Sequence, residues 1–118
     1  MKVELTKVRI KDGKGDRVGD WFEYINETRD DVALTFAGDR VYVESMFRIT
    51  EEESDFIYWY TLAADDEDDV KFDDAKVDKI HLQFWDECID KKYRPRNYNA
   101  DVSLYSHPIN KFLRKDNE

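Results

Sequence analysis

The sequence is poor in the residues that mark many kinds of site. Cys88 is the only cysteine among 118 residues, so no disulfide can close within the chain and nothing points to an oxidising compartment. His81 and His107 are the only histidines, too few and too scattered for a zinc or copper centre. The 4 glycines form neither a phosphate-binding loop nor a nucleophile elbow. No apolar run is long enough to cross a bilayer. The opening MKVELTKVRIKDGK alternates charged and apolar residues and lacks the apolar core of a secretory signal. Basic residues are also in deficit: 19 lysines and arginines face 28 acidic residues, a net charge of −9. Such a chain is repelled by phosphate backbones and anionic membranes. The expectation is a cytoplasmic protein with no metal, no cofactor, and no nucleic-acid or membrane partner.

Aromatic residues, by contrast, make up 14% of the chain and charged residues 40%. That combination describes a compact core under a charged surface. The length fits one domain, residues 1–118, with 110–118 as a loose tail around a helical turn at Phe112 and Leu113.

The clearest periodic stretch is Val77 to Asp90. Val77, Ile80, His81, Phe84 and Cys88 share one side of a helix, with Trp85 at its edge. A first helix is predicted from about Arg17 to Ala37, capped by Asp16 and closed by Gly38. Val18, Trp21, Phe22, Ile25, Val32 and Phe36 form its stripe, and Arg29 intrudes on it. Lys2 to Ile10 and Arg40 to Thr50 alternate like strands. In the latter, Val41, Val43, Phe47 and Ile49 fall on one face and Tyr42, Glu44, Met46 and Arg48 on the other. Glu51 to Asp55 reads as a hairpin loop. Phe56 to Leu62 is apolar on both faces and therefore a central strand. Ala63 to Asp74 is an acidic loop, with Asp73 or Asp74 capping the second helix. Lys91 to Ala100 reads as a polar connection and Asp101 to His107 as a fourth strand stopped by Pro108.

The order strand, helix, strand, strand, helix, strand predicts an α+β fold: a ferredoxin-like β-α-β-β-α-β unit whose four-stranded antiparallel sheet carries two helices on one face. The other face keeps apolar groups that a monomer leaves in water, so a homodimer packed sheet to sheet is predicted.

KVELTKVRIKDGK followed by a helix, then VYVESMFR, YWYTL and HLQFWDECID, resembles a small prokaryotic family of unknown function (domain of unknown function family 6176). That family is similar to the dimeric α+β-barrel superfamily, which includes antibiotic-biosynthesis monooxygenases, stress-responsive barrel proteins and sugar mutarotases. The resemblance runs to about Pro108. It implies a pocket for a small organic molecule between sheet and helices, often worked without a metal or organic cofactor. Some members use a helix histidine with a tyrosine, and His81 is similar in placement.

His81 is thus the candidate catalytic residue, since a free imidazole titrates near ~6.5. Its plainer role is a core histidine with satisfied ring nitrogens. Arg29 falls near mid-helix, like His81, and could hold a carboxylate or phosphate bidentately. Alternatively it snorkels outward or pairs with Glu44 or Asp30. Glu44, Tyr58 and Tyr60 are the strand candidates for ligand binding, on faces that alternation alone does not assign. Cys88 reads as an inert buried thiol, and the acidic run Asp65 to Asp69 as a solvated loop. Three functional classes follow: a small-molecule binding protein, a cofactor-free monooxygenase, isomerase or cyclase-like enzyme, and a structural module with a self-satisfied polar core.

Overall fold

The computed structural model describes residues 1–33, 41–65 and 76–117. Four strands, β1 (Lys2–Arg9), β2 (Val41–Glu51), β3 (Ser54–Ala63) and β4 (Arg96–Asn99), form one antiparallel sheet in the order β2-β3-β1-β4. Helix α1 (Gly15–Glu27) follows β1, α2 (Lys76–Cys88) precedes β4, and α3 (His107–Asn117) ends the described chain. This is the ferredoxin-like α+β order, and β3 is central, as its two apolar faces require.

The core lies between the sheet and α1 and α2. Val8 of β1 and Ile57 of β3, a cross-strand pair, are buried against Val18 and Trp21 of α1 and Phe84 and Cys88 of α2. The Trp21 and Phe84 rings stack at 6.2 Å between centroids and bind the helices to each other. Each such side chain contributes about 1.5–3 kcal/mol by leaving water. Residues of β1–β3 in register with Val8 and Ile57 (Thr6, Trp59, Glu44, Met46, Arg48) face the helices. The alternate set (Leu5, Lys7, Tyr58, Tyr60, Phe47, Ile49) faces away.

Several local expectations change. Helix α1 ends at Glu27: its C-cap Thr28 leaves helical dihedrals (φ −109°, ψ 14°), and the Thr28 hydroxyl (2.7 Å) shares the Tyr24 carbonyl with the last helical N–H bond (3.0 Å). Residues 29–33 are helical again; the predicted continuation through Phe36, Ala37 and Gly38 lies outside the described residues. Asp16 sits in the first turn of α1, and the N-cap position is Lys14. Gly15 opens the helix where Arg48 crosses it. There Arg48 donates to the Gly15 carbonyl (3.1 Å) and to Asp55 (3.2 Å), and a Cβ on Gly15 would lie 2.5 Å from the guanidinium.

In β2, a bulge at Tyr42 sets Val41 opposite Ala63 and Val43 opposite Leu62. Ala63 and Leu62 point to opposite faces, so Val41 and Val43 do not share one. The β2–β3 turn is tighter than a five-residue loop: Glu51 pairs with Ser54, and Glu52 and Glu53 take φ of 49° and 68°. Two consecutive left-handed residues match the right-handed twist of a hairpin.

The fourth strand is not Asp101 to His107. It is the polar Arg96–Asn99, paired with Glu4 to Lys7 of β1, with the Thr6 hydroxyl donating to Asn97 at 2.9 Å. An edge strand of four residues tolerates polar side chains, so apolar alternation was the wrong guide. Pro108 lies in the first turn of α3, where its missing N–H breaks no helical bond.

Candidate functional site

On the helix-covered face, two titratable side chains are each held by an indole. The Trp21 Nε1–H donates to His81 Nδ1 at 3.1 Å, and the Trp59 Nε1–H donates to Glu44 Oε1. The two indoles meet edge to face, 6.4 Å between centroids. His81, Trp21, Trp59 and Glu44 therefore form one contiguous line from α2 through α1 to β3 and β2. Tyr24 closes on His81 from the next turn of α1 (5.8 Å), and Trp85 touches both indoles.

The geometry follows from the two stripes. A polar residue in the apolar stripe of α2 meets, across the helix pair, the one polar atom of a large apolar side chain in the stripe of α1. An indole nitrogen can only donate, so Nδ1 is the acceptor and a neutral His81 carries its proton on Nε2. Glu44, half-buried in an apolar alternation, needs a donor, and Trp59 supplies it from the neighbouring strand.

Of the five site residues expected from sequence, the structure unites two, His81 and Glu44. Tyr58 and Tyr60 face the other side of the sheet. Arg29 is exposed, beyond the break at Thr28, and among the described residues it forms no ion pair with Glu44 or Asp30. The residues that connect the pair, Trp21 and Trp59, enter the sequence pattern only as apolar positions of the first helix and the central strand. The available signal was the indole N–H itself: a tryptophan on a buried stripe must find an acceptor, and His81 and Glu44 are the acceptors on those faces.

Tyr58 belongs to a separate cluster. Its hydroxyl donates to Glu51, Lys7 reaches the other Glu51 oxygen at 2.9 Å, and the ammonium lies 4.2 Å from the Phe56 ring centre. The Tyr58 hydroxyl first, then Lys7, holds the Glu51 carboxyl below its ordinary range. The same bond to Glu51 pushes the Tyr58 phenol up, so it stays protonated and serves as a donor. Arg9 makes a second cluster, donating to Asp90 (2.7 Å), Asp12 (2.9 Å) and Ser54 (3.2 Å). The Lys92 backbone N–H and then Arg9 hold the Asp90 carboxyl down. Cys88 is fully buried, and desolvation pushes its thiol up, away from the thiolate a nucleophile needs.

Asp65, near the head of the acidic loop, pairs with the terminal ammonium of Met1 at 2.8 Å; the rest of that loop, with the proposed caps Asp73 and Asp74, lies outside the described residues. Among the described residues no three histidine, cysteine or carboxylate side chains converge as a metal site would require. Nor, among them, is any helix long and apolar enough to cross a membrane.

The fold is similar to that of a crystal structure of L-rhamnose mutarotase from Formosa agariphila, with a TM-score of 0.53 at 12% identity, covering 91% of this chain and 100% of that one. At that identity the likeness concerns the fold. No curated protein matches the sequence. A family model covers residues 1–111, nearly the whole chain, and on that match the chain belongs to the Family of unknown function (DUF6176).

Proposed function

We propose that this protein is a cytoplasmic homodimer that binds a small, hydroxyl-rich organic molecule between its helices and its sheet, with His81 and Glu44 as the polar groups that orient it. One observation carries the reading: two titratable side chains from different elements share the covered face, joined through Trp21 and Trp59. Half-buried aromatic rings from Phe22, Tyr24, Trp59 and Trp85 border the same region. Flat apolar rings beside a few polar groups suit a ligand with C–H faces and hydroxyl edges. Sugars are such ligands, and the solved neighbour is named for a mutarotase. Ring-form interconversion of a sugar needs a proton donor and a proton acceptor, and His81 and Glu44 are of the types that serve those roles without a cofactor.

A structural module is the second reading. It is favoured by the same two bonds, since each occupies an atom of a titratable group that catalysis would otherwise use.

Thermal-shift and saturation-transfer measurements against neutral hexoses, deoxyhexoses, small acids and aromatic compounds separate the two. The expected result is binding by at least one neutral sugar, abolished in His81→Ala with the dimer intact. If no compound binds, and His81→Ala unfolds the chain instead, the structural module is the correct reading.

A further inference from the structure

The chain beyond β4 has exposed apolar groups on a scale the rest of the surface does not match. After Ala100, whose N–H bonds the Val3 carbonyl (3.0 Å), the backbone leaves the sheet. Val102 and Leu104 are 76% and 90% exposed, and Ile109 and Phe112 of α3 are 51% and 61% exposed. Val102 and Leu104 are two apart in a non-helical segment, and Ile109 and Phe112 are three apart on a helix. Each pair can therefore present one side. The arm is nevertheless attached to its own chain: Leu113 is buried and Tyr105 half-buried. Among the described residues the enclosed Tyr105 hydroxyl has no hydrogen-bond partner, a cost that a finished assembly ordinarily removes. The family model extends through residue 111, so most of the arm belongs to the shared unit.

A second apolar patch lies on the open face of the sheet, chiefly at its β2 edge, where Val43, Phe47 and Ile49 are 42%, 52% and 41% exposed. The arm leaves from β4, at the opposite edge. In a two-fold dimer packed sheet to sheet about an axis parallel to the strands, the β4 edge of one copy lies over the β2 edge of the other. Charge agrees with this pairing. Helix α3 carries Lys111 and Arg114, while the β2–β3 turn carries Glu52 and Glu53 beyond the Lys7-paired Glu51.

We infer that the arm, residues 101–113, is an exchanged element: each copy lays Val102, Leu104, Ile109 and Phe112 over the β2 edge of a second copy, with α3 beside the acidic hairpin. This rests on the sheet-to-sheet dimer proposed above and specifies what completes it. Both arms act in one symmetric contact, so each substitution counts twice.

Two measurements on the full-length chain test it. The first is sedimentation equilibrium of wild type, of Leu104→Asp, and of Lys111→Glu/Arg114→Glu. Leu104 is so exposed that Leu104→Asp keeps the monomer fold, checked by circular dichroism. Its dimer dissociation constant should rise about a hundredfold or more. The charge reversal should raise it by a smaller factor that shrinks with salt. The second mixes separately tagged Leu104→Cys and Phe47→Cys chains with a short bis-maleimide; cross-linked pairs carrying both tags are expected. A wild-type monomer at micromolar concentration would overturn both the arm and the dimer. A wild-type dimer that Leu104→Asp leaves unchanged, or one that gives no mixed-tag product, would overturn the arm alone and leave the sheet dimer standing.

Discussion

The two faces of this sheet are built from alternate residues of the same strands, yet they settle their polar groups in opposite ways. Under the helices, His81 and Glu44 each receive a tryptophan N–H, and the surroundings are aromatic. On the open face, Lys7 is matched by Glu51 and Tyr58 and Arg9 by Asp90, while Val43, Phe47 and Ile49 stand in solvent. At its centre the covered face satisfies its polar groups with tryptophans, and its cation Arg48 is held at the hairpin end by Asp55. The open face keeps its cations bound to carboxylates and leaves apolar surface at its edge. A face meant only for water would have no reason to expose that edge. The contrast thus separates an aromatic interior from an exterior with uncovered apolar surface, which is what the proposed ligand site and the proposed dimer each require.

The sharpest way to break this contrast is to remove the indole at its centre. Trp21 is 1% exposed and touches Phe22, Trp59, His81, Phe84 and Trp85. Trp21→Ala should cost about 3–5 kcal/mol in urea unfolding, from the lost area and the cavity left behind. A loss below 1 kcal/mol would mean that the covered face does not depend on this side chain.

A smaller effect isolates the polar bond from the packing. Trp59→Phe keeps an aromatic ring and removes the donor to Glu44, so about 1.5–3 kcal/mol should be lost, the range for a hydrogen bond to a charged group. Combining it with Glu44→Leu should recover part of that loss, since no half-buried carboxylate is then left without this donor. Strict additivity of the two substitutions in a double-mutant cycle would show that the bond contributes nothing.

The smallest effect sharpens the other side. Glu51 and Asp90 there, like Asp55 and Glu87 elsewhere, are held below the ordinary carboxylate range, each chiefly by a hydrogen-bond donor. A depressed folded-state value contributes stability that is present above the unfolded-state value, near ~4, and is lost as pH falls through the folded-state one. Stability should therefore be flat near neutrality and decline below about pH 4. Glu51→Gln should lower stability at pH 7 and converge on wild type in acid, because the protonated carboxyl no longer holds Lys7. Unfolding titrations at both pH values check this; an unchanged acid limb in Glu51→Gln would show that the open-face cluster is not coupled to folding.

Much of the fold was legible before the structure, and its failures have physical causes. Strands β1 to β3 and helix α2 announce themselves because they border a core, and burial imposes a period on sequence. Strand β4 does not, because RNYN sits at an edge and is exposed on both sides. Its place was given instead to DVSLYSH, whose alternating Val102 and Leu104 are exposed and pair with no strand among the described residues. The first helix was overextended because the backbone leaves helical dihedrals at Thr28, a break that no hydrophobic period registers. Asp16 was a reasonable cap by type, but the crossing of Arg48 over Gly15 decides where that helix begins. At the site, His81 stood out as a polar intruder in an apolar stripe. Glu44 stood out likewise, but its face depended on strand register.

The sequence by itself determined the class of fold, the central position of β3, the single buried thiol and the presence of polar groups within apolar stripes, because each is a property of local period and composition. Only the tertiary structure decided that Glu44 joins His81 while Tyr58 and Tyr60 turn away, that Arg29 is left outside, and that two tryptophan N–H groups bind the pair. Those outcomes rest on the pairing of strands distant in the chain and on the contact of two helices. A one-residue change of register, such as the bulge at Tyr42, moves a side chain to the other face with no mark in the pattern.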